Sequence, residues 1–209
     1  QFKDPLMWLL HGTPGTGKSE VLLWTKALFA DVCGWEMGAE YQMVALQAVM
    51  AQLLGGDTIH HAAGINPFGV KHDAQSQQRN QQRQADVAKR VARWRWLFID
   101  EISMVSVQFL AELDQHLRSI MSNVCGMKKN TQGVDKPFGG LNVLFCGDFY
   151  QLDPPTGTPI ASIPVAFIRK ARQYAPGATE EHGQYIFWGK GEGVVQGVTE
   201  LNECVRVED

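Results

Sequence analysis

Residues Gly12-Thr13-Pro14-Gly15-Thr16-Gly17-Lys18-Ser19 constrain this chain more than any other stretch. They satisfy the phosphate-loop spacing G-x-x-x-x-G-K-[ST]. Glycines at these positions let backbone N–H groups converge on phosphate oxygens with no Cβ in the way. Lys18 is placed to reach β- and γ-phosphates, and the Ser19 hydroxyl to hold Mg²⁺. Leu6-Met7-Trp8-Leu9-Leu10 before the loop reads as a buried strand, and Val21 to Phe29 after it as a helix. That order brings a helix N-terminus, with its partial positive charge, to the anion. The loop argues for nucleotide binding and leaves open what the nucleotide's energy drives.

A chain of 209 residues can bury the core of one large domain. Its net charge of −3 excludes a globally basic nucleic-acid binder and leaves only a local patch. Residues 71 to 95 are the candidate. Lys71, Arg79, Arg83, Lys89, Arg90, Arg93 and Arg95 stand there against only Asp73 and Asp86, among several glutamines. Its second half reads as a solvated helix, and a soluble polar face accounts for it as well as a nucleic-acid contact does. Cys33, Cys125, Cys146 and Cys204 lack metal-site spacing. Cys33 and Cys146, in apolar surroundings, are expected as reduced core thiols. No apolar run reaches membrane length, so no membrane partner is expected. The chain starts without Met at Gln1, and both ends are expected to be cuts in a longer protein.

Apolar runs at Tyr41–Ala45, Trp96–Ile99, Leu141–Cys146 and near 198–202 read as strands. Helices are expected over 48–54, 106–122 and 165–174, the second from Leu110, Leu113, Leu117 and Ile120 at helical spacing. Alternating strands and helices predict a three-layer α/β/α sandwich with a mainly parallel sheet. In such a sheet the ligand lies at the carboxyl ends of the strands. Asp100 and Glu101 follow one apolar run, with Asp100 suited to Mg²⁺ and Glu101 to polarising an attacking water. Asp148 and Gln151 follow another, and a neutral amide such as Gln151 can sense a γ-phosphate without adding negative charge.

Together these pieces resemble the first motor domain of the petite-integration-frequency (PIF-type) DNA helicases of superfamily 1, including the helicase portions of helitron-type transposons. Gly55-Gly56-Asp57-Thr58-Ile59-His60 matches the G-G-x-T-I-H segment. Phe98 to Val105 matches I-D-E-I-S-M-V. Pro137-Phe138-Gly139-Gly140 matches P-F-G-G, and Gly147 to Leu152 matches G-D-F-x-Q-L. Leu201 to Arg206 is similar to motif IV.

The resemblance implies a RecA-like P-loop NTPase domain, the ATP-binding half of an ATP-dependent 5′-to-3′ DNA helicase acting in genome maintenance. Its implied cofactors are ATP and Mg²⁺. Residues 12 to 19 would cradle phosphate, and Lys18, Glu101, Gln151 and Arg206 would act on the γ-phosphate, with Ser19 and Asp100 on the metal. Thr58 and His60 would lie on DNA, while Phe68 and Phe138 stay open between stacking and core. The implied partners are single-stranded, forked or structured DNA and a second motor domain of the same parent. The implied location is intracellular, nuclear or mitochondrial if eukaryotic. Residues 1–209 would be a single motor domain, able to hold nucleotide, slow to hydrolyse it and unable to unwind DNA alone.

The chain departs from the pattern in places. Val44-Ala45-Leu46-Gln47-Ala48 stands where T-A-P-T-G is usual, and Val207 follows Arg206 where Gln is usual. A nucleotide-dependent switch or scaffold without motor work is the rival reading. A small-molecule kinase is disfavoured, because a tandem Asp-Glu suits activation of water.

Overall fold

The computed structural model describes residues 5–65, 74–125, 136–162, 179–189 and 195–204. Six strands form one sheet: β1 (Met7–Gly12), β2 (Tyr41–Ala45), β3 (Asp57–Thr58), β4 (Trp96–Asp100), β5 (Asn142–Gly147) and β6 (Gly197–Leu201). Their order is β3-β2-β4-β5-β1-β6, and the pairings among them are parallel. Parallel neighbours need long crossovers, which helices supply. These are α1 (Lys18–Ala27), α2 (Ala48–Leu53), α3 (Ile59–Ala63), α4 (Ala74–Val91), α5 (Val107–Cys125) and α6 (Thr179–Trp188).

Successive side chains of a strand point to opposite faces, so each apolar strand feeds two cores. Leu97 and Ile99 of β4, Met7 and Leu9 of β1, and Val143 and Phe145 of β5 pack with Leu110, Leu113 and Leu117 of α5 and with Phe187 of α6. Phe98, Leu10 and Cys146 from the same strands pack on the other face with Leu22 of α1, Phe29 and Leu54. Two cores on two faces give the expected three-layer sandwich.

Several details differ from the sequence reading. α5 continues to Cys125 instead of ending at 122. Cys33 is exposed, not a core thiol. The chain leaves α1 through a π-helical turn at Leu28–Val32, Phe29 takes the core position, and Cys33 follows it into solvent. Phe138 is fully buried and stacks edge-on against Phe145, so it is core. The α6 helix was not anticipated. Its Gly183 is a poor helix former, but the Cβ of an alanine there would lie 3.1 Å from Val107 Cα, so the start of α5 demands glycine. The helix expected over 165–174 lies outside the described residues, as do Lys71, Asp73, Phe68 and Arg206.

On α4, Lys89 pairs with Asp86 and Arg90 donates to the Ala62 carbonyl at 2.9 Å, and just past the helix Arg93 pairs with Glu40. These internal pairings favour the solvated-face reading of that basic stretch. No described helix is long and apolar enough to cross a membrane.

Candidate active site

The loop between β1 and α1 is shaped by its glycines. Gly15 and Gly17 have φ of 81° and 89°, which side chains with a Cβ rarely adopt. A Cβ on Gly12 would lie 2.5 Å from Thr16 Oγ1 and 3.0 Å from the Leu201 carbonyl. Gly17 caps α1 without a side-chain hydrogen bond. The first amides of the helix have no intrahelical acceptor, so they form an anion cradle. Lys18 is buried beneath the loop and donates to the carbonyls of Gly12 at 2.6 Å and Thr13 at 3.1 Å. Ser19, one residue on, is exposed at the mouth. Cys204, just past β6, lies 4.0 Å from the Pro14 carbonyl, so the strand that leads toward Arg206 passes beside the loop.

β4 sits two strands from β1, and its last residue, Asp100, reaches the same rim. Burial raises the Asp100 carboxyl above the usual range, although its hydrogen bonds from the Glu101 amide and the Cys146 thiol and the Lys18 charge pull it down. Burial also raises Glu101, reinforced by repulsion from Asp100 and Asp148 and eased by Lys18. These mutual influences place Lys18, Asp100, Glu101 and Asp148 in one electrostatic cluster. Glu101 has φ 52° and ψ 50°, a left-handed conformation that is uncommon for a residue with a side chain. A Cβ on Gly147 would lie 3.0 Å from the Ile102 amide, so only glycine lets β5 approach this bend closely.

The turn after β5 carries the remaining polar group. Asp148 is buried and accepts from the Tyr150 amide at 3.0 Å and from Gln151 Nε2 at 3.2 Å. Gln151 is thereby held on the same rim, through Asp148. His11, one residue before the loop, touches this turn: its Nε2 accepts from the Phe149 amide at 3.4 Å. Sequence reasoning passed over His11. Its signal was its position, at the carboxyl end of a buried strand and adjacent to the phosphate loop.

Ser19 and Asp100 supply a hydroxyl and a carboxylate. Among the described residues no group of three His, Cys, Asp or Glu could hold a metal alone. That donor set fits Mg²⁺, which binds through one or two carboxylates, substrate phosphates and water.

Thr58 and His60 lie further along the edge. Thr58 pairs with Ala45, which in turn pairs with Asp100. Two strand spacings separate Thr58 from Asp100, about 10 Å. The Thr58 hydroxyl caps α3 by accepting from the His61 amide at 3.3 Å. A hydroxyl also carries one hydrogen, which remains able to donate. The His60 ring stacks on Phe109 with centroids 4.6 Å apart, and burial lowers its pKa despite Glu112 nearby. One face of the ring is therefore committed to the protein.

The PIF1-like helicase family model matches residues 2–174. The chain belongs to that family. It is 36% identical over 163 residues to the ATP-dependent DNA helicase PIF1 of Saccharomyces cerevisiae, covering 77% of this chain and 17% of that protein. It is 32% identical over 151 residues to the PIF1 helicase of Xenopus laevis, covering 69% and 20%. The crystal structure of Pif1 helicase from Candida albicans matches with a TM-score of 0.62 at 24% identity, over 96% of this chain and 36% of that one. Pif1 from Bacteroides, solved in complex with ADP-AlF3 and single-stranded DNA, matches at 0.58 and 22%, over 97% and 39%. The chain thus spans about a fifth of the curated relatives' length.

Within this PIF1-like domain the P-F-G-G segment is a backbone corner. Phe138, Gly139 and Gly140 all have positive φ. The Phe138 amide donates to Asp114 Oδ1 at 2.5 Å, and Asp114 also accepts from Arg118 and pairs with His182, each at 2.7 Å. One fully buried carboxylate on α5 therefore ties the corner to α6.

Proposed function

We propose that this chain is the ATP-binding motor domain of an ATP-dependent DNA helicase, with ATP and Mg²⁺ as its ligands. The observation that carries this reading is the convergence of Lys18, Asp100, Glu101 and Asp148 on one rim of a parallel sheet, beside a phosphate loop. Residues 12 to 19 cradle the β- and γ-phosphates with backbone amides, and Lys18 exchanges the Gly12 carbonyl for phosphate oxygen. Ser19 and Asp100 would hold the metal, and a bound Mg²⁺ would supply charge neutralisation to the phosphates. Glu101, with its raised pKa, orients the attacking water and takes up its proton. Gln151 reads the γ-phosphate by hydrogen bonding. Arg206 completes the set by stabilising charge in the transition state.

Thr58 donates its hydroxyl to a DNA phosphate, and His60 offers its free edge to the same strand. The finer partners in this proposal are single-stranded and forked DNA and a second motor domain facing the rim. Residues 1–209 are proposed as one motor domain that binds nucleotide and turns it over slowly, since closing a two-domain cleft is what assembles such sites.

The experiment measures Mg-ATP and Mg-ADP binding to this chain, then phosphate release with and without a single-stranded oligonucleotide. Binding with release that DNA stimulates and Glu101→Gln abolishes supports a motor. Release indifferent to DNA supports a nucleotide switch, and no nucleotide binding sinks the reading.

A further inference from the structure

We propose that His11 is a positioning residue that couples the γ-phosphate sensor turn to the phosphate loop. The inference rests on the nucleotide reading above and assigns a role to a residue that the motifs leave out. His11 is the penultimate residue of β1, and its peptide leads into Gly12, whose carbonyl holds Lys18. Its side chain is committed in the opposite direction, onto the turn after β5.

Four contacts define that commitment. The Phe149 amide donates to His11 Nε2 at 3.4 Å. The ring stacks on Phe149, with centroids 5.9 Å apart and planes 20° from parallel. It meets Tyr150 edge-on at 6.0 Å. Its Nδ1 lies 4.0 Å from Glu200 of β6, the strand that leads toward Arg206. In this arrangement Nε2 presents a lone pair, which makes Nδ1 the ring's N–H and turns it to Glu200. The Nε2 lone pair stands 3.7 Å from Asp148 Oδ1. Asp148 then finds its donors elsewhere, in the Tyr150 amide and Gln151 Nε2.

An unbroken path therefore runs from Lys18 through Gly12 and His11 to Phe149, Asp148 and Gln151. Triphosphate draws Lys18 away from the Gly12 carbonyl, and the end of β1 moves with it. His11 passes that movement to the turn that aims Gln151. Diphosphate lacks the group that Gln151 reads, so it gains nothing from the coupling. A histidine that merely filled space would affect both nucleotides alike.

The test compares ATPγS and ADP affinity, each with Mg²⁺, by calorimetric titration of the full 209-residue chain. The variants are His11→Ala, His11→Phe and His11→Gln, each checked by its thermal transition. His11→Ala and His11→Phe are expected to weaken ATPγS about tenfold while ADP changes less than about twofold, the effect of one lost hydrogen bond. His11→Phe keeps a ring against Phe149 and so stays informative if the alanine variant melts. His11→Gln can offer its amide oxygen to the Phe149 amide and recovers most of the loss. Equal weakening of the two nucleotides, or none, overturns the coupling. Wild type that binds neither nucleotide overturns the nucleotide reading itself, and this inference with it.

Discussion

Glu101 turns out of the sheet directly behind Asp100. Asp100 is the last extended residue of β4, and Glu101 reverses to φ 52°. The reversal sets apart two neighbouring carboxylates, for which the proposed roles differ: Asp100 for the metal and Glu101 for the attacking water. Holding a side chain in left-handed backbone costs about 1–2 kcal/mol. Glu101→Gly removes that strain and the repulsion with Asp100 together. It is expected to raise unfolding free energy by about 1 kcal/mol in urea titrations while abolishing phosphate release. Glu101→Gln keeps the bend and is expected to bind nucleotide normally with release at least about 100-fold slower.

The same two carboxylates give the chain a pH dependence. Both have folded pKa values raised, Asp100 by burial and Glu101 by burial and its acidic neighbours. The folded state then holds protons that the unfolded chain has released, so stability falls as pH rises between the unfolded and folded values. Their favourable contribution is complete below the ordinary carboxyl values of 3.8 and 4.5 and is lost as pH climbs through the folded values. Asp100→Asn is expected to melt higher than wild type at pH 7 to 8 and to lose that advantage near pH 4. A series of thermal melts with Mg²⁺ chelated checks this, and a constant difference across the range contradicts it.

The strands and the phosphate rim were legible because their signals are local. β2 was read to the residue, since Tyr41 to Ala45 is a largely apolar run that follows the turn at Gly38. Asp100 and Asp148 were readable because a parallel sheet puts every strand's carboxyl end on one side. What escaped depends on contacts between distant residues. Nothing near residue 183 shows that Val107 will press against it, so no helix is expected there from the sequence. Phe138 could not be assigned to the core without Asp114, which reaches it from 24 residues away. Cys33 was misplaced because a π-helical turn shifts the phase of the face that a regular helix would present.

The close approaches that hid α6 make it sensitive to a single methyl group. Gly183→Ala puts a Cβ 2.7 Å from the Val107 carbonyl carbon, against backbone that cannot rotate away. Gly139→Ala puts one 2.8 Å from Met121 Cβ, at a φ of 64°. Overpacking of this kind costs about 1–3 kcal/mol. Both variants are expected to lower the urea midpoint, because a Cβ on Gly183 meets the Val107 backbone and one on Gly139, in left-handed backbone, meets Met121 Cβ and the Leu117 carbonyl at 3.0 Å. A neutral Gly183→Ala would mean that Gly183 does not press against the Val107 backbone.

Thr58 has two roles to separate, because its one hydroxyl caps α3 and is proposed to donate to DNA. Loss of a threonine cap costs about 1 kcal/mol, which thermal or urea unfolding reads without DNA present. Thr58→Val keeps the shape and removes the hydroxyl, so it is expected to lose the cap and to weaken single-stranded DNA binding about threefold to tenfold. Thr58→Ser keeps a hydroxyl at the same position and is expected to retain both. Thr58→Gly, which is nearly as good a cap as threonine, is the decisive variant. It is expected to unfold within a few tenths of a kcal/mol of wild type and still to lose DNA affinity. If Thr58→Gly binds DNA as wild type does while Thr58→Val does not, the hydroxyl matters only as a cap, and the DNA contact must be sought elsewhere on the rim.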